Sequence, residues 1–203
     1  MSFVVVVEGL KNVQDVSLSQ ERIRFAAVQA VNKVARDTRA KAARRIREQI
    51  NIPATYLQPG QKRLYVSKRA QRSDPTAIIT ARSRPTSLAR YVQSGGRGRE
   101  GVQLEVQPNR TTYMRRAFLI KLKAGSGPVD TKYNMGLAIR LREGETVENK
   151  RNVRRLEKGL YLLYGPSIDQ VFLDNAQKGV ADDLAPGILD DLEAEAIRLL
   201  GLD

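Results

Sequence analysis

The chain is organised around an apolar run and the corner that follows it, Leu160-Tyr161-Leu162-Leu163-Tyr164-Gly165-Pro166-Ser167. The first four residues are enough for a buried strand and too few to cross a membrane. Gly165-Pro166 predicts that the strand breaks there, because glycine permits unusual backbone angles and proline lacks a hydrogen-bond donor. Ser167 and Gln170 have the spacing of a capping box, so we predict a helix from Ser167 to about residue 184.

These features make the tetrapeptide at 164–167 a candidate structural joint between a strand and a helix. Its members are Tyr164, Gly165, Pro166 and Ser167. A simple turn is the alternative interpretation, because glycine and proline mark turns wherever they occur together.

The composition is that of a basic globular chain. Its 203 residues include 35 Lys and Arg against 22 Asp and Glu, a formal net charge of +13. The charge is uneven, because residues 51–125 carry fifteen basic and three acidic side chains whereas residues 179–203 carry one and seven. Such a field favours nucleic acid, an anionic membrane surface or an acidic protein surface as partner.

Histidine and cysteine are both absent. Hydrolytic triads and zinc sites in their usual forms are therefore excluded, as is a disulfide framework. Metal nucleases that use carboxylates alone are the enzyme class left open, but many of the acids lie near the C-terminus or in the charged segment 143–158. We expect no enzyme, no catalytic residue, no cofactor and no metal, and no contact with a membrane, since no run approaches about 18 apolar residues.

A long amphipathic helix is predicted from Ser17, which has capping-box spacing to Gln20, to about Ile50. Its apolar stripe comprises Ile23, Ala27, Ala30, Val31, Val34, Thr38, Ala42, Ile46 and Ile50. A basic arc of about 80° on the other side comprises Arg22, Lys33, Arg36, Arg44 and Arg47. This arc is either a solvated helix face or a contact for phosphate or an acidic partner.

The rest of the chain reads as strands, loops and a final helix. Strands are predicted at 3–7, around Leu64 and Val66, and at 76–81, 102–107, 117–122 and 137–142. Between them lie a turn at 69–75, a connector at 85–91, a glycine-rich loop at 94–101, a turn at 108–109 and a charged loop at 143–158. The glycine-rich loop lacks the context of a nucleotide-binding loop, but its Arg97 and Arg99 are candidate contacts to nucleic acid. A last helix begins near Pro186 and is acidic on its outer face.

Together these elements predict an α+β fold in which a long basic N-terminal helix packs on an antiparallel sheet and is followed by C-terminal helices. We divide the chain into an α+β domain at 1–178 and an acidic C-terminal helical arm at 179–203.

The order of several motifs resembles the prophage minor tail protein Z family, the tail completion proteins of long-tailed phages. The motifs are Ala30-Val31-Asn32-Lys33-Val34-Ala35, Arg84-Pro85-Thr86-Ser87-Leu88-Ala89-Arg90-Tyr91, Gly101-Val102-Gln103-Leu104-Glu105-Val106, Arg116-Ala117-Phe118-Leu119-Ile120 and Leu162-Leu163-Tyr164-Gly165-Pro166-Ser167-Ile168-Asp169-Gln170. The last of these is the family's most recognisable stretch. Together the motifs span most of residues 20–200.

The resemblance implies a structural protein of the virion, located in the tail and neck and made in the cytoplasm of the bacterial host. It would form a homo-oligomeric ring that joins tail to head, next to proteins such as the tail terminator and the head–tail connector. A non-specific contact with the packaged DNA end is compatible with the basic helix face or the Arg97 loop. The acidic C-terminal helix would reach the basic surface of another copy or of the adjacent ring.

Two other functions fit the composition. A free nucleic-acid-binding protein would use the basic body directly, although aromatic residues, at 5% of the chain, are sparse for base stacking. A tail assembly chaperone or regulator of tail length is the other alternative.

Overall fold

The computed structural model of the chain describes residues 3–5, 20–97, 100–122, 135–146, 152–157, 159–173 and 179–201. The chain forms two compact units: unit 1 comprises Met1–Ile46, Pro53–Ser83 and Ile168–Asp203, and unit 2 comprises Arg47–Ile52 and Arg84–Ser167. The predicted α+β class is confirmed, with a long N-terminal helix, antiparallel sheets and C-terminal helices. The division at residue 178 stays a prediction.

Unit 1 packs helices with a small antiparallel sheet. Numbered along the chain, its elements are β1 (Phe3–Val5), α1 (Gln20–Gln49), β2 (Leu64–Lys68), β3 (Ala77–Ala81), α2 (Ile168–Phe172) and α3 (Val180–Leu200). The last three residues of α1 belong to unit 2. Strand β3 lies between β1 and β2, so the strands predicted near the N-terminus, around Leu64 and at 76–81 form one sheet.

Helix α1 begins and ends close to the predicted positions, and Ser17, its predicted cap, lies outside the described residues. The helix buries a row of residues four apart, together with Ala35; the row is Ala26, Ala30, Val34, Thr38, Ala42 and Ile46. A four-residue step overshoots one helical turn by about 40°, so the buried side rotates by roughly 200° along this row. Five of the buried residues, together with Ile50, belong to the predicted apolar stripe, and all five residues of the predicted basic arc are exposed, so this part of the prediction is confirmed.

Two polar side chains of α1 fasten it to β2 and the chain that follows. The Asn32 amide donates to the carbonyl of Ala70 and accepts from its backbone N–H, both at 3.0 Å. Arg39 Nε donates to the carbonyl of Leu64 at 3.0 Å. Burial lowers the pKa of Arg39. These bonds satisfy backbone groups at the edge of the sheet, which edge strands otherwise leave open.

The C-terminal helices depart from the prediction. Instead of one helix from Ser167 to about residue 184, α2 ends at Phe172 and α3 begins at Val180. Pro186 therefore lies inside α3, not near its start. Val180 and Ala181 are buried, so packing extends the helix ahead of the proline, and the carbonyl of the exposed Asp182 is the one that loses a helical donor.

Unit 2 is built from antiparallel strands. They are β4 (Pro85–Ser87), β5 (Val92–Gly95), β6 (Val102–Gln107), β7 (Arg110–Met114), β8 (Ala117–Lys121), β9 (Met135–Arg140), β10 (Val153–Glu157) and β11 (Leu160–Ser167). One sheet has the order β10-β11-β9-β8 with β4 attached to β11, and the other has the order β5-β6-β7. The buried side chains Tyr91, Val102 and Leu137 belong to the core of this unit.

Strand β11 does not break at Gly165-Pro166, so that prediction was wrong. Its first half pairs with β9 and β10 on its two sides, and its second half pairs with β4. Pro166 sits where the register between β11 and β4 shifts, a position at which a missing N–H costs no ladder bond. The helix predicted after the joint does begin, at Ile168.

Three strands lie wholly or partly where connectors or loops were predicted, and a fourth, β7, lies where no element was predicted. The 85–91 connector contains β4 and a 3₁₀ helix at Leu88–Tyr91, and β5 reaches Gly95 inside the glycine-rich loop. Strand β7 follows the turn at Pro108 and Asn109. Strand β10 lies in the segment predicted as a charged loop. Strands β7 and β10 expose nearly every side chain. They form by backbone pairing and lack the alternation of apolar and polar residues that predicts a strand.

Hydrogen bonds also fix Glu145, which lies in the segment predicted as a charged loop. The guanidinium of Arg116 donates two hydrogen bonds to the Glu145 carboxylate, each at 2.8 Å, and Arg142 N donates to the same carboxylate at 2.7 Å. These bonds lower the pKa of Glu145 to about 2. Residues 147–151 and 158 of the predicted loop lie outside the described residues.

Gly165 is required by packing. A Cβ at this position would lie 3.1 Å from Leu88 Cδ2 and 3.3 Å from Tyr91 Cε2. We expect Gly165→Val to lower the free energy of unfolding by about 1–3 kcal/mol, since the added methyls overpack this contact. Urea unfolding measures the change, and the same substitution in a Leu88→Ala background should cost less because the clash is relieved.

The matched control is Gly187→Ala in α3. Gly187 is exposed, and a Cβ there would meet nothing within 4 Å. This substitution should raise stability by about 0.5–1 kcal/mol, since alanine is the better helix former. Equal effects of Gly165→Val and Gly187→Ala would contradict the packing argument.

Candidate functional site

The structure places all five predicted basic residues of α1 at exposed positions of that helix. Arg22, Lys33, Arg36 and Arg44 are exposed on the part of α1 in unit 1. Arg47 is exposed at the end of α1 in unit 2, where its Nε donates to the carbonyl of Ile52 at 3.3 Å.

The two arginines of the glycine-rich loop complete the predicted contact set. Arg97 is exposed just after β5, and Arg99 lies outside the described residues. The base of the loop is fixed by backbone hydrogen bonds, from Gly96 N to the carbonyl of Gly101 at 2.8 Å and from Leu119 N to the carbonyl of Gly96 at 3.0 Å. Gly96 has φ of 91°, which favours glycine. The loop therefore presents Arg97 from a rigid base.

Helix α3 supplies carboxylates to α1 within unit 1. Lys33 Nζ donates to Glu195 Oε2 at 2.6 Å, and Lys41 pairs with Asp191. Arg198 donates to both oxygens of Glu195, at 3.0 and 2.5 Å. Glu195 is only 6% exposed, and its charge is paired with one cation of α1 and one of α3 itself. Predicted contact residue Lys33 thus already has an acidic partner in its own chain.

Charged and apolar side chains both lie between α1 and α3. A groove is lined by Lys33, Asp37, Lys41, Arg44, Asp191, Glu195 and Arg198, with alanines of both helices. Beside it, Val34 and Ala35 of α1 line an apolar cavity with Ile79 of β3 and Ile188 and Leu192 of α3. The groove carries both signs of charge, so it does not form a simple anion site.

Sequence reasoning did not single out Lys41, Asp191, Glu195 or Arg198. The available signal was the opposite charge of the two segments, nine basic and three acidic side chains at 19–50 against one and seven at 179–203. From that signal we predicted that the acidic helix reaches another copy or the adjacent ring, whereas two of its carboxylates pair with α1 of the same chain.

The structural joint brings two resemblance motifs together in unit 2. Tyr164 pairs with Ser87 and Gly165 pairs with Thr86, so the end of β11 lies against the Arg84–Tyr91 motif along β4. Thr86 and Ser167 are almost fully buried. Two further motifs form strands β6 and β8 of the same unit, whereas the alanine-rich motif at 30–35 lies on α1 in unit 1.

In the part of the chain that the structure describes, no three Asp or Glu side chains are grouped to hold a metal ion. None of the described helices is both long and apolar enough to cross a membrane.

Comparison with known proteins adds no relative. No protein-family model matches the chain, and no curated protein or solved structure matches it.

Glu195 makes stability depend on pH. Hydrogen bonds from Arg198 and then from Lys33 lower the pKa of Glu195 from 4.5 to about 2. Since the pKa is lower in the folded state, the ionised carboxylate stabilises the fold above about pH 4.5, and this contribution is lost as pH falls toward 2. We expect Glu195→Gln to be less stable than wild type at pH 7 and the difference to shrink toward pH 2.

Urea midpoints of both proteins across this pH range measure the difference. Glu145 and Asp74, whose pKa values are also lowered, are present in both proteins and cancel in the comparison. The control Glu143→Gln changes an exposed carboxylate outside α3 and should differ little from wild type at any pH. A constant gap between Glu195→Gln and wild type would contradict the proposed linkage.

Proposed function

We propose that this chain is a structural protein of a phage tail and neck, which assembles as a homo-oligomeric ring and completes the tail for joining to the head. It acts by shape and charge and performs no chemistry on a substrate. Its neighbours in the particle are proteins such as the tail terminator and the head–tail connector, and packaged DNA contacts it only non-specifically.

The pairing of β11 with β4 carries this proposal. The motif at 162–170, which contains the most distinctive part of the resemblance, is far in sequence from the motif at 84–91 and pairs with it in the fold. Gly165 packs closely on Leu88 and Tyr91 across that pairing. Motifs that share one packed element are better support for a common fold than motifs scattered over the surface.

The distribution of charge supports an assembly role. Unit 2 exposes arginines along β10 and β9, including Arg155 and Arg140, while α3 in unit 1 exposes carboxylates. Complementary fields of this kind set the register and the encounter rate of subunits in a complex. Contacts between unlike patches that close on themselves produce rings.

Deletion of the gene from the phage or prophage that carries it tests the proposal. We expect full heads and complete tails that are not joined, with infectivity restored by the gene supplied in trans. Electron microscopy counts joined particles, and gold-labelled antibody should mark the head-proximal end of the tail. Particles that lack the protein but keep firmly attached tails and full infectivity would overturn the proposal.

DNA binding separates this function from a free nucleic-acid-binding protein. A purified ring component should bind duplex DNA weakly at about 150 mM salt, and any binding at low salt should fall steeply as salt rises, because phosphate contacts release counterions. Fluorescence anisotropy with two unrelated duplexes measures affinity and sequence preference. Tight binding by the monomer at physiological salt would favour the nucleic-acid-binding alternative.

A further inference from the structure

The outer face of α3 carries an apolar residue surrounded by acids. Leu189 is 61% exposed. Helical spacing places Ala185, Pro186 and Glu193 next to Leu189, and Asp182 two turns before it. Asp182, Asp183, Asp190 and Glu193 are exposed, and none of these four carboxylates has an ion pair among the described residues. We call Leu189 with these four residues the acidic patch.

The N-terminal part of α1 carries the complementary arrangement. Phe25 is 49% exposed, and the guanidinium of Arg72 lies over its ring at 5.8 Å. Arg22 lies one turn before Phe25 on the same face. Arg22 and Arg72 are exposed. We call Phe25 with Arg22 and Arg72 the arginine patch.

The two patches lie at different places on unit 1. Asp191, two residues after Leu189, pairs with Lys41 of α1. Lys41 is sixteen residues from Phe25 along the same helix, a distance of about 24 Å at ~1.5 Å per residue. The two patches are therefore too far apart to contact each other within one copy.

We propose that the acidic patch of one copy binds the arginine patch of a second copy, in a head-to-tail contact. Leu189 would pack against the Phe25 ring, and the surrounding carboxylates would face Arg22 and Arg72. Asp191 and Glu195 of α3 stay paired with lysines of α1 in their own chain. Only the four carboxylates of the acidic patch are used between copies. This contact rests on the proposed function, because repetition of one head-to-tail contact closes a ring.

Cysteine cross-linking tests the contact directly, since the chain contains no cysteine. Gln29→Cys and Ala185→Cys each place a thiol on an exposed position one turn from an anchor and leave Phe25 and Leu189 intact. Mixed under mild oxidation, the two variants should give a disulfide-linked pair that contains one copy of each. Neither variant alone should cross-link, because the contact joins unlike patches.

Gln49→Cys, at an exposed position near the end of α1, is the matched control and should not cross-link with Ala185→Cys. Cross-linking of Gln29→Cys or Ala185→Cys with itself would overturn the head-to-tail arrangement in favour of a two-fold one. Rings without the mixed cross-link would overturn the inference and leave the proposed function standing. A chain that stays monomeric and uncross-linked also overturns the inference, and particle assembly then decides the proposed function.

Charge reversal provides a second readout. Asp190→Lys with Glu193→Lys should raise the concentration needed for assembly at least about tenfold, measured by light scattering. Arg22→Glu with Arg72→Glu should do the same, and mixing the two reversed proteins should restore assembly. No restoration on mixing, with each variant folded by circular dichroism, would show that these patches do not meet.

Discussion

Strand β11 is the element on which unit 2 depends. Residues 160–163 pair on both sides, with β9 and β10, and the rest of the strand pairs with β4. A strand that pairs in this way leaves few of its backbone N–H and C=O groups without a hydrogen-bond partner. Its sequence fits that position, because apolar side chains fill the paired half and Gly165 leaves room for Leu88 and Tyr91.

In unit 1 the equivalent constraint is the four-residue row of small and branched side chains on α1. Because the row winds around the helix, different sides of α1 are covered along its length. Helix α3 contributes Ile188 and Leu192 to an apolar cavity with α1 and places Glu195 between Lys33 and Arg198. Burial and ion pairing therefore act at the same helix contact.

If the proposed contact between copies is correct, the charged residues of the chain have two different roles. Asp191 and Glu195 of α3 form ion pairs with Lys41 and Lys33 of α1 and so contribute to the contact between the two helices. Outer acids of α3 and arginines near Phe25 stay exposed to solvent. Exposed ion pairs add little stability to a fold, whereas complementary exposed patches guide association between molecules. The uneven charge is thus consistent with our proposal, in which some charged residues form ion pairs within the chain and others form contacts between copies.

Local patterns were enough to predict the α+β class, the extent of α1, and strands such as β6 with alternating Val102, Leu104 and Val106. These elements carry their own signal, because burial on one face imposes a period of two or near four. Local patterns did not predict β7 and β10, whose exposed side chains carry no such period, or the continuation of β11 through Gly165-Pro166, which depends on β4 as a distant partner. The Lys33–Glu195 contact joins residues far apart in sequence, and only tertiary packing decides that this carboxylate is buried and its neighbours on the outer face are not.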